Sequence, residues 1–168
     1  MIYASLFGAL TAMGALISIP LQPVPVTLQT LFLYLAGSLL GGGLGALSQT
    51  VYIMLGVIGL PVFSGGKAGL GVLMGPTGGY LVGFVAGAFV TGKIARLRPD
   101  GGLLWLVSAM LAGTAALYAL GVLQLALVGR LSPAKAAVAG VLPFLPGDAL
   151  KIAAASVIAL KVRDRIRI

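Results

Sequence analysis

Residues 103–127, LLWLVSAMLAGTAALYALGVLQLAL, contain no charged side chain. A helix needs about 20 mainly apolar residues to cross the hydrocarbon core of a bilayer, and this stretch is long enough. Its apolar residues follow one another continuously, whereas the strands of a membrane barrel alternate over about ten residues. The stretch therefore predicts an integral membrane protein built from helices.

The composition of the whole chain agrees with that prediction. Of 168 residues, 60% are hydrophobic and 8% are charged, whereas soluble domains carry about 25% charged residues. The net charge of +8 would suggest nucleic-acid binding in a soluble protein. Here Lys and Arg lie in short clusters beside apolar stretches, which favours lipid phosphate and membrane orientation as the explanation. We expect a lipid bilayer and no nucleic acid among the partners.

Missing residue types exclude several kinds of chemistry. The chain has no Glu, His, Cys or Asn, so a zinc cluster, a Cys or Ser–His nucleophile pair and a disulfide framework are excluded. The stretch SGGKA (64–68) lacks the spacing of a phosphate-binding loop and the Ser or Thr after its lysine. We expect a protein that is not an enzyme, with no metal and no cofactor.

Six apolar stretches are long enough, or nearly so, to be transmembrane helices in a single domain. The first begins at the N-terminus and is interpreted as a span, because it lacks the basic region and the cleavage site of a signal peptide. Proline ends the first stretch at Pro20 and the third at Pro61. The predicted spans are about 2–19, 26–40, 44–60, 76–97, 103–127 and 146–162.

The positions of Lys and Arg predict the orientation of these spans. With six helices both termini lie on one side, and positive-inside counting assigns that side to the cytoplasm. The predicted cytoplasmic side carries Lys93, Arg96, Arg98, Lys161, Arg163, Arg165 and Arg167, whereas the other carries Lys67, Arg130 and Lys135. The loops before the second, fourth and sixth helices then face outward.

One of these outer loops, about residues 61–75, is unusually long and rich in glycine. Long irregular loops in compact proteins are often lids or binding loops. The apolar residues LGVLM (70–74) suit a segment that folds over a cavity. The alternative is a flexible connector.

Asp148 and Lys151 open the last apolar stretch, PFLPGDALKIAAASVIAL (143–160). Residues three apart share one face of a helix. An ionised group in a membrane costs about 2.5–3.5 kcal/mol on insertion scales, so it tends to face a cavity or a partner. We expect a binding role, and the alternative is a mutually satisfied pair near the headgroups.

Two further stretches carry weaker signals. PLQPVPVTLQT (20–30) places Thr27 and Gln29 at the outer end of the second helix, where they would serve a cavity or helix packing equally well. Ala4, Gly8 and Ala12 form a ladder of small residues on one face of the first helix, which permits close approach of another helix or another protein.

Four segments together resemble the BioY family, the biotin-binding components of energy-coupling factor (ECF) vitamin transporters in prokaryotes. They follow one another in the family's order along nearly the whole chain: IPLQPVPVTLQTLFLYLAGSLLGGGLGALS, YIMLGVIGLPVFSGG, GPTGGYLVGF and PFLPGDALKIAAA. The resemblance implies an all-α bundle of six helices in the prokaryotic plasma membrane. It also implies an outward-facing biotin pocket, a transmembrane partner subunit and two ATPase subunits.

The resemblance also implies roles for particular residues. Asp148 would accept from the ureido N–H groups of biotin, and Lys151 would donate to the ureido oxygen or to the carboxylate. Lys67 is a second candidate for the carboxylate. Phe63, Leu73 and Tyr80 would form apolar walls, with Thr27 and Gln29 as polar candidates. Ala4, Gly8 and Ala12 would contact the transmembrane partner.

Three other functions stay open at this stage. One is a small membrane scaffold with no ligand, for which Asp148→Asn should change nothing but stability. A component for a different vitamin would share the bundle but would lack the PGDALK and GPTGGY elements. A secondary transporter or channel working alone is disfavoured, because the chain has few intramembrane acids for a proton relay.

Overall fold

The protein folds into apolar α-helices around a shared core, with one short β-hairpin. The structure, a computed structural model, describes residues 1–165. The α-helices are α1 Ile2–Leu16, α2 Gln29–Leu40, α3 Gly42–Val57, α4 Leu70–Met74, α5 Gly78–Leu97, α6 Leu103–Gly129, α7 Pro133–Val141 and α8 Leu145–Arg165. The strands are β1 Ser18–Ile19 and β2 Val26–Thr27.

The first two helices are shorter than the predicted spans because the chain between them forms a hairpin. Ser18 pairs with Thr27 and Ile19 with Val26 in an antiparallel ladder. Three prolines within residues 20–25 prevent either helix from continuing through this connection. The first predicted span therefore loses its last residues, and the second begins at Gln29.

Helix length and composition alone support fewer spans than predicted. Within residues 1–165, α5 and α6 are long and apolar enough to cross a membrane, and α7 with α8 counts as a third span bent by 52°. Helices α1, α2 and α3 are apolar but shorter. The count of six is not confirmed.

Helix α2 is central, since it packs against α1, α3, α5 and α8, while α5 and α6 form the most extensive helix pair. Glycine permits the close crossings: a Cβ on Gly92 would lie 2.3 Å from the Gly42 nitrogen, and one on Gly83 would lie 2.7 Å from the Leu117 oxygen. Tyr34 and Leu106 are fully buried in the core.

The outer surface of the bundle is apolar, whereas several polar groups are buried. Leu104, Leu111 and Leu127 of α6 are all more than half exposed, while Gln29 and Asp148 are almost fully buried. Apolar surface of this extent is unusual for a soluble monomer and indicates contact with lipid. The distribution agrees with the membrane class predicted from composition.

Two arginines lie at the end of the bundle where α2 ends. Arg163 donates to the Ser38 carbonyl at 2.7 Å and Arg96 to the Leu40 carbonyl at 2.7 Å, satisfying carbonyls that a helix C-terminus leaves without partners. Arg167, counted in the orientation prediction, lies outside the described residues. The end of α8 lies at this end of the bundle, since Arg163 belongs to α8.

Candidate ligand-binding cavity

A cavity of about 550 Å³ lies at the opposite end of the bundle. It is bounded by the β-hairpin, by residues within and just after the predicted lid, and by the first turns of α2, α5 and α8. The middle of α6 closes one side through Leu117 and Tyr118. Small-molecule sites commonly have volumes of about 300–1,000 Å³ and combine apolar walls with a few polar groups.

The charged pair predicted from the sequence lies at this cavity. Lys151 Nζ is 2.9 Å from Asp148 Oδ1, and the two side chains are 11% and 6% exposed. Asp148 occupies the first turn of α8, where the helix dipole favours a carboxylate. Both residues line the cavity, so the pair is accessible to a ligand as well as mutually satisfied.

Two hydroxyl groups from other helices complete the environment of Asp148. Thr30 Oγ1 donates to Oδ1 at 3.0 Å and accepts from Lys151 Nζ at 3.0 Å. Tyr118 donates its hydroxyl to Oδ2. A carboxylate has about four acceptor positions, and three are used within the described chain, which leaves one on Oδ2.

Sequence reasoning did not select Thr30 or Tyr118 as site residues. Thr30 ends the polar stretch 20–30, in which only Thr27 and Gln29 are predicted site residues, and Tyr118 lies in a stretch predicted only as a membrane span. Tyr118 is one of the few hydrogen-bonding side chains in the apolar helix α6, and that rarity was the available signal. Its distance from Asp148 in sequence hid the contact.

Thr27 and Gln29 line the cavity and also bond to each other. Thr27 Oγ1 donates to Gln29 Oε1 at 2.8 Å, and Gln29 Nε2 donates to the hydroxyl of Tyr52. The packing role is therefore present, and both residues remain on the cavity wall.

Phe63 and Tyr80 supply apolar walls. Phe63 is 1% exposed and packs edge-to-face on Tyr52, with ring centroids 5.7 Å apart. Tyr80 lines the cavity, and its hydroxyl donates to the Gly140 carbonyl at 2.8 Å. Lys67 is exposed and lies on the cavity lining.

Leu73 does not line the cavity, contrary to its predicted role as a wall. The lid contains the short helix α4, and this helix places Val72 on the cavity lining while Leu73 packs against the hydrophobic core. The sequence did not predict this turn of helix within a glycine-rich loop.

The ladder of small residues on α1 faces inward, so its packing role is present, and contact with a partner subunit stays a prediction. Ala4 is 1% exposed, Gly8 is buried and Ala12 is partly buried. A Cβ on Gly8 would lie 2.9 Å from the Ser48 carbonyl oxygen of α3. The small side chains permit α1 to approach α3 closely.

Taken together, the fold and the cavity define a helical membrane protein with an internal cavity of a volume common among small-molecule sites. The family comparison is then specific: the BioY family matches residues 1–168. The chain belongs to the BioY family, which confirms the resemblance found in its sequence.

Individual relatives are similar along nearly their whole length. The chain is 44% identical to the biotin transporter BioY of Thermotoga maritima over 97% of this chain and 95% of that protein. It is 42% identical to the biotin transporter BioY of Rhizobium etli, covering 94% and 89% of the two chains. These relatives are named as transporters, which agrees with the prediction that the chain is not an enzyme.

A solved structure shares the fold. The S-component for biotin from an ECF-type ABC transporter superposes with a TM-score of 0.88 at 28% identity, covering 97% of this chain and 89% of that one.

Proposed function

We propose that this protein captures biotin in the cavity and delivers it across a prokaryotic plasma membrane as the substrate-binding component of an ATP-driven ECF importer. Family membership, together with the relatives named as biotin transporters, supports the choice of ligand. The observation that carries the proposal is a buried carboxylate at the cavity, Asp148, that has one acceptor position left.

That remaining position suits the ureido group of biotin. Oδ2 of Asp148 would accept one ureido N–H, and an ionised acceptor makes a stronger hydrogen bond than a neutral one. Lys151 has three N–H donors, and it directs two of them to Thr30 and Asp148. The third would bind the ureido oxygen. Asp148 as acceptor and Lys151 as donor would together recognise a group that carries an N–H donor beside a carbonyl acceptor.

The walls of the cavity suit the rest of the molecule. Tyr80, Phe84 and Phe144 would contact the thiophane ring and the aliphatic chain. The carboxylate of biotin would then extend toward the exposed Lys67, because Lys151 is already engaged by Asp148. We therefore assign the carboxylate to Lys67.

Orientation follows from the distribution of charge. The cavity lies at the end of the bundle opposite Arg96 and Arg163, which bond the last carbonyls of α2 near the end of α8. With that basic end in the cytoplasm the cavity opens outward. Six spans satisfy this arrangement if α1, α2 and α3 each cross, with the β-hairpin and the lid completing their outer ends.

Transport would need other subunits. The chain offers no phosphate-binding loop, so a transmembrane partner and two ATPase subunits would supply the energy. Reconstituted liposomes should accumulate biotin when all subunits and ATP are present. Equal ATP-independent accumulation by this chain alone would contradict the importer assignment.

A matched pair of substitutions tests the site. Asp148→Asn removes the charge at the cavity, whereas Asp100→Asn removes the charge of an exposed acid between α5 and α6. Equilibrium titration with biotin should show at least roughly tenfold weaker binding for Asp148→Asn, since a hydrogen bond to a charged group contributes about 1.5–3 kcal/mol. Asp100→Asn should bind as wild type does. Equal affinity in both variants would remove Asp148 from the site.

A further inference from the structure

We infer that Gln124 is the positioning residue that holds the lid over the bound ligand. The lid segment is defined as residues 61–75. Its proposed role at the cavity rests on the function proposed above, but its attachment to α6 does not. Gln124 is partly buried on α6, outside the cavity lining.

The side-chain amide of Gln124 bonds the end of the lid segment twice. Its Nε2 donates to the Leu73 carbonyl at 2.7 Å and to the Gly75 carbonyl at 2.8 Å. These carbonyls close the short helix α4, where a helix end leaves acceptors without intrahelical partners. Both N–H donors of the Gln124 amide therefore bond the segment in which α4 ends.

Besides these bonds, Val72 and Leu73 pack against the hydrophobic core and the Gly78 nitrogen donates to the Gly75 carbonyl at 3.1 Å, but α4 is otherwise open. No residue of α4 is buried, and Leu70 and Met74 are 64% and 78% exposed. The bonds from Gln124 are the only side-chain hydrogen bonds to residues 61–75 within the described chain. The start of α4 is attached to α3, where the Gly69 nitrogen donates to the Gly56 carbonyl at 2.7 Å.

Glycine at position 78 allows the Leu73 carbonyl and the Gln124 amide to approach each other closely. A Cβ on Gly78 would lie 1.9 Å from the Leu73 oxygen and 2.6 Å from Gln124 Nε2. Glycine at 78 therefore leaves room for the carbonyl and the amide to meet. A larger side chain there would force them apart from the α5 side.

Position in the fold links this contact to the ligand. Val72 lines the cavity from the lid segment and Pro76 follows that segment directly, so the two bonded carbonyls lie between two cavity-lining residues. Tyr118, which donates to Asp148, belongs to the same helix as Gln124. Helix α6 thus holds both the carboxylate and the lid.

The test measures the lid segment and the ligand separately. Gln124→Met keeps the length of the side chain and removes both donors, and Leu123→Met changes its exposed neighbour on α6 as a control. Because the chain has no cysteine, Leu70→Cys carries a single spin label in each background. Biotin dissociation is followed by competition in lipid nanodiscs.

In ligand-free Gln124→Met we expect the spin label to be mobile. Biotin should also dissociate from this variant about tenfold faster than from wild type, a change that corresponds to the loss of two ordinary hydrogen bonds. The control should match wild type in both measurements. Unchanged label mobility, or a mobile label with an unchanged dissociation rate, would overturn the assignment.

Two further results, the absence of biotin binding and the failure of Gln124→Met to fold, are distinguished as follows. If wild-type protein binds no biotin, the proposed function fails, and label mobility alone decides whether Gln124 anchors the lid segment. If Gln124→Met does not fold, Gly78→Ala replaces it, since its Cβ would displace the same carbonyl from the opposite side. An immobile label in Gly78→Ala would then overturn the inference.

Discussion

Replacing Lys151 with Met should destabilise the protein far more than its single charge suggests. The substitution leaves the Asp148 carboxylate buried, with only the hydroxyls of Thr30 and Tyr118 as donors. Removing one partner of a buried ion pair typically costs about 3–5 kcal/mol, because the other charge remains without compensation. Two donors remain here, so we expect the lower end, about 3 kcal/mol.

A double variant distinguishes the loss of a coupled ion pair from the loss of two independent side chains. Asp148→Asn combined with Lys151→Met removes both charges, so its cost should fall short of the two single costs added together by about 2 kcal/mol or more. For a chain of this size 1 kcal/mol shifts Tm by about 2–4 °C, so Lys151→Met alone should lower Tm by roughly 6–12 °C.

Thermal unfolding in detergent without biotin measures these shifts. Lys161→Met, at an exposed position of the same helix, is the control and should change Tm little. Strictly additive effects of the two single substitutions would refute the argument that the pair is a coupled unit at the cavity.

Two other substitutions test the packing of α1 and the mouth of the cavity. Gly8→Leu should lower Tm markedly, because the leucine side chain would meet the Ser48 carbonyl of α3. Gly43→Leu is the control and should change Tm little, since a Cβ at Gly43 has nothing within 4 Å. Equal Tm values for the two variants would contradict the buried position of Gly8. Lys67→Ala should weaken binding of biotin by up to about fivefold, since an exposed ion pair contributes at most about 1 kcal/mol, but should leave binding of biotin methyl ester unchanged. An equal loss for both ligands in titration would remove Lys67 from the carboxylate site.

The charged pair shows what local sequence can predict. The spacing of Asp148 and Lys151 is enough to put them on one helix face, and the structure shows them 2.9 Å apart. Their role in binding remains a prediction. The donors Thr30 and Tyr118 come from α2 and α6, and only the packing of three helices brings them to Asp148.

The lid and the first helix show where sequence reasoning ends. Glycine-rich composition predicts a loop, but a single turn of helix decided that Val72 and not Leu73 meets the cavity. Small residues on α1 predict a close approach without naming the neighbour, and the structure supplies α3. The first two helices are shorter than their predicted spans because residues on either side of the prolines pair in a β-hairpin, and local sequence does not reveal that pairing.

Equilibrium titration of the wild-type protein with biotin, alongside thiamine and riboflavin, tests the central claim most directly. The account predicts saturable binding of one biotin per chain and no measurable binding of the other two vitamins. Well-folded protein that fails to bind biotin, or that binds all three alike, would contradict the assignment of this cavity to biotin.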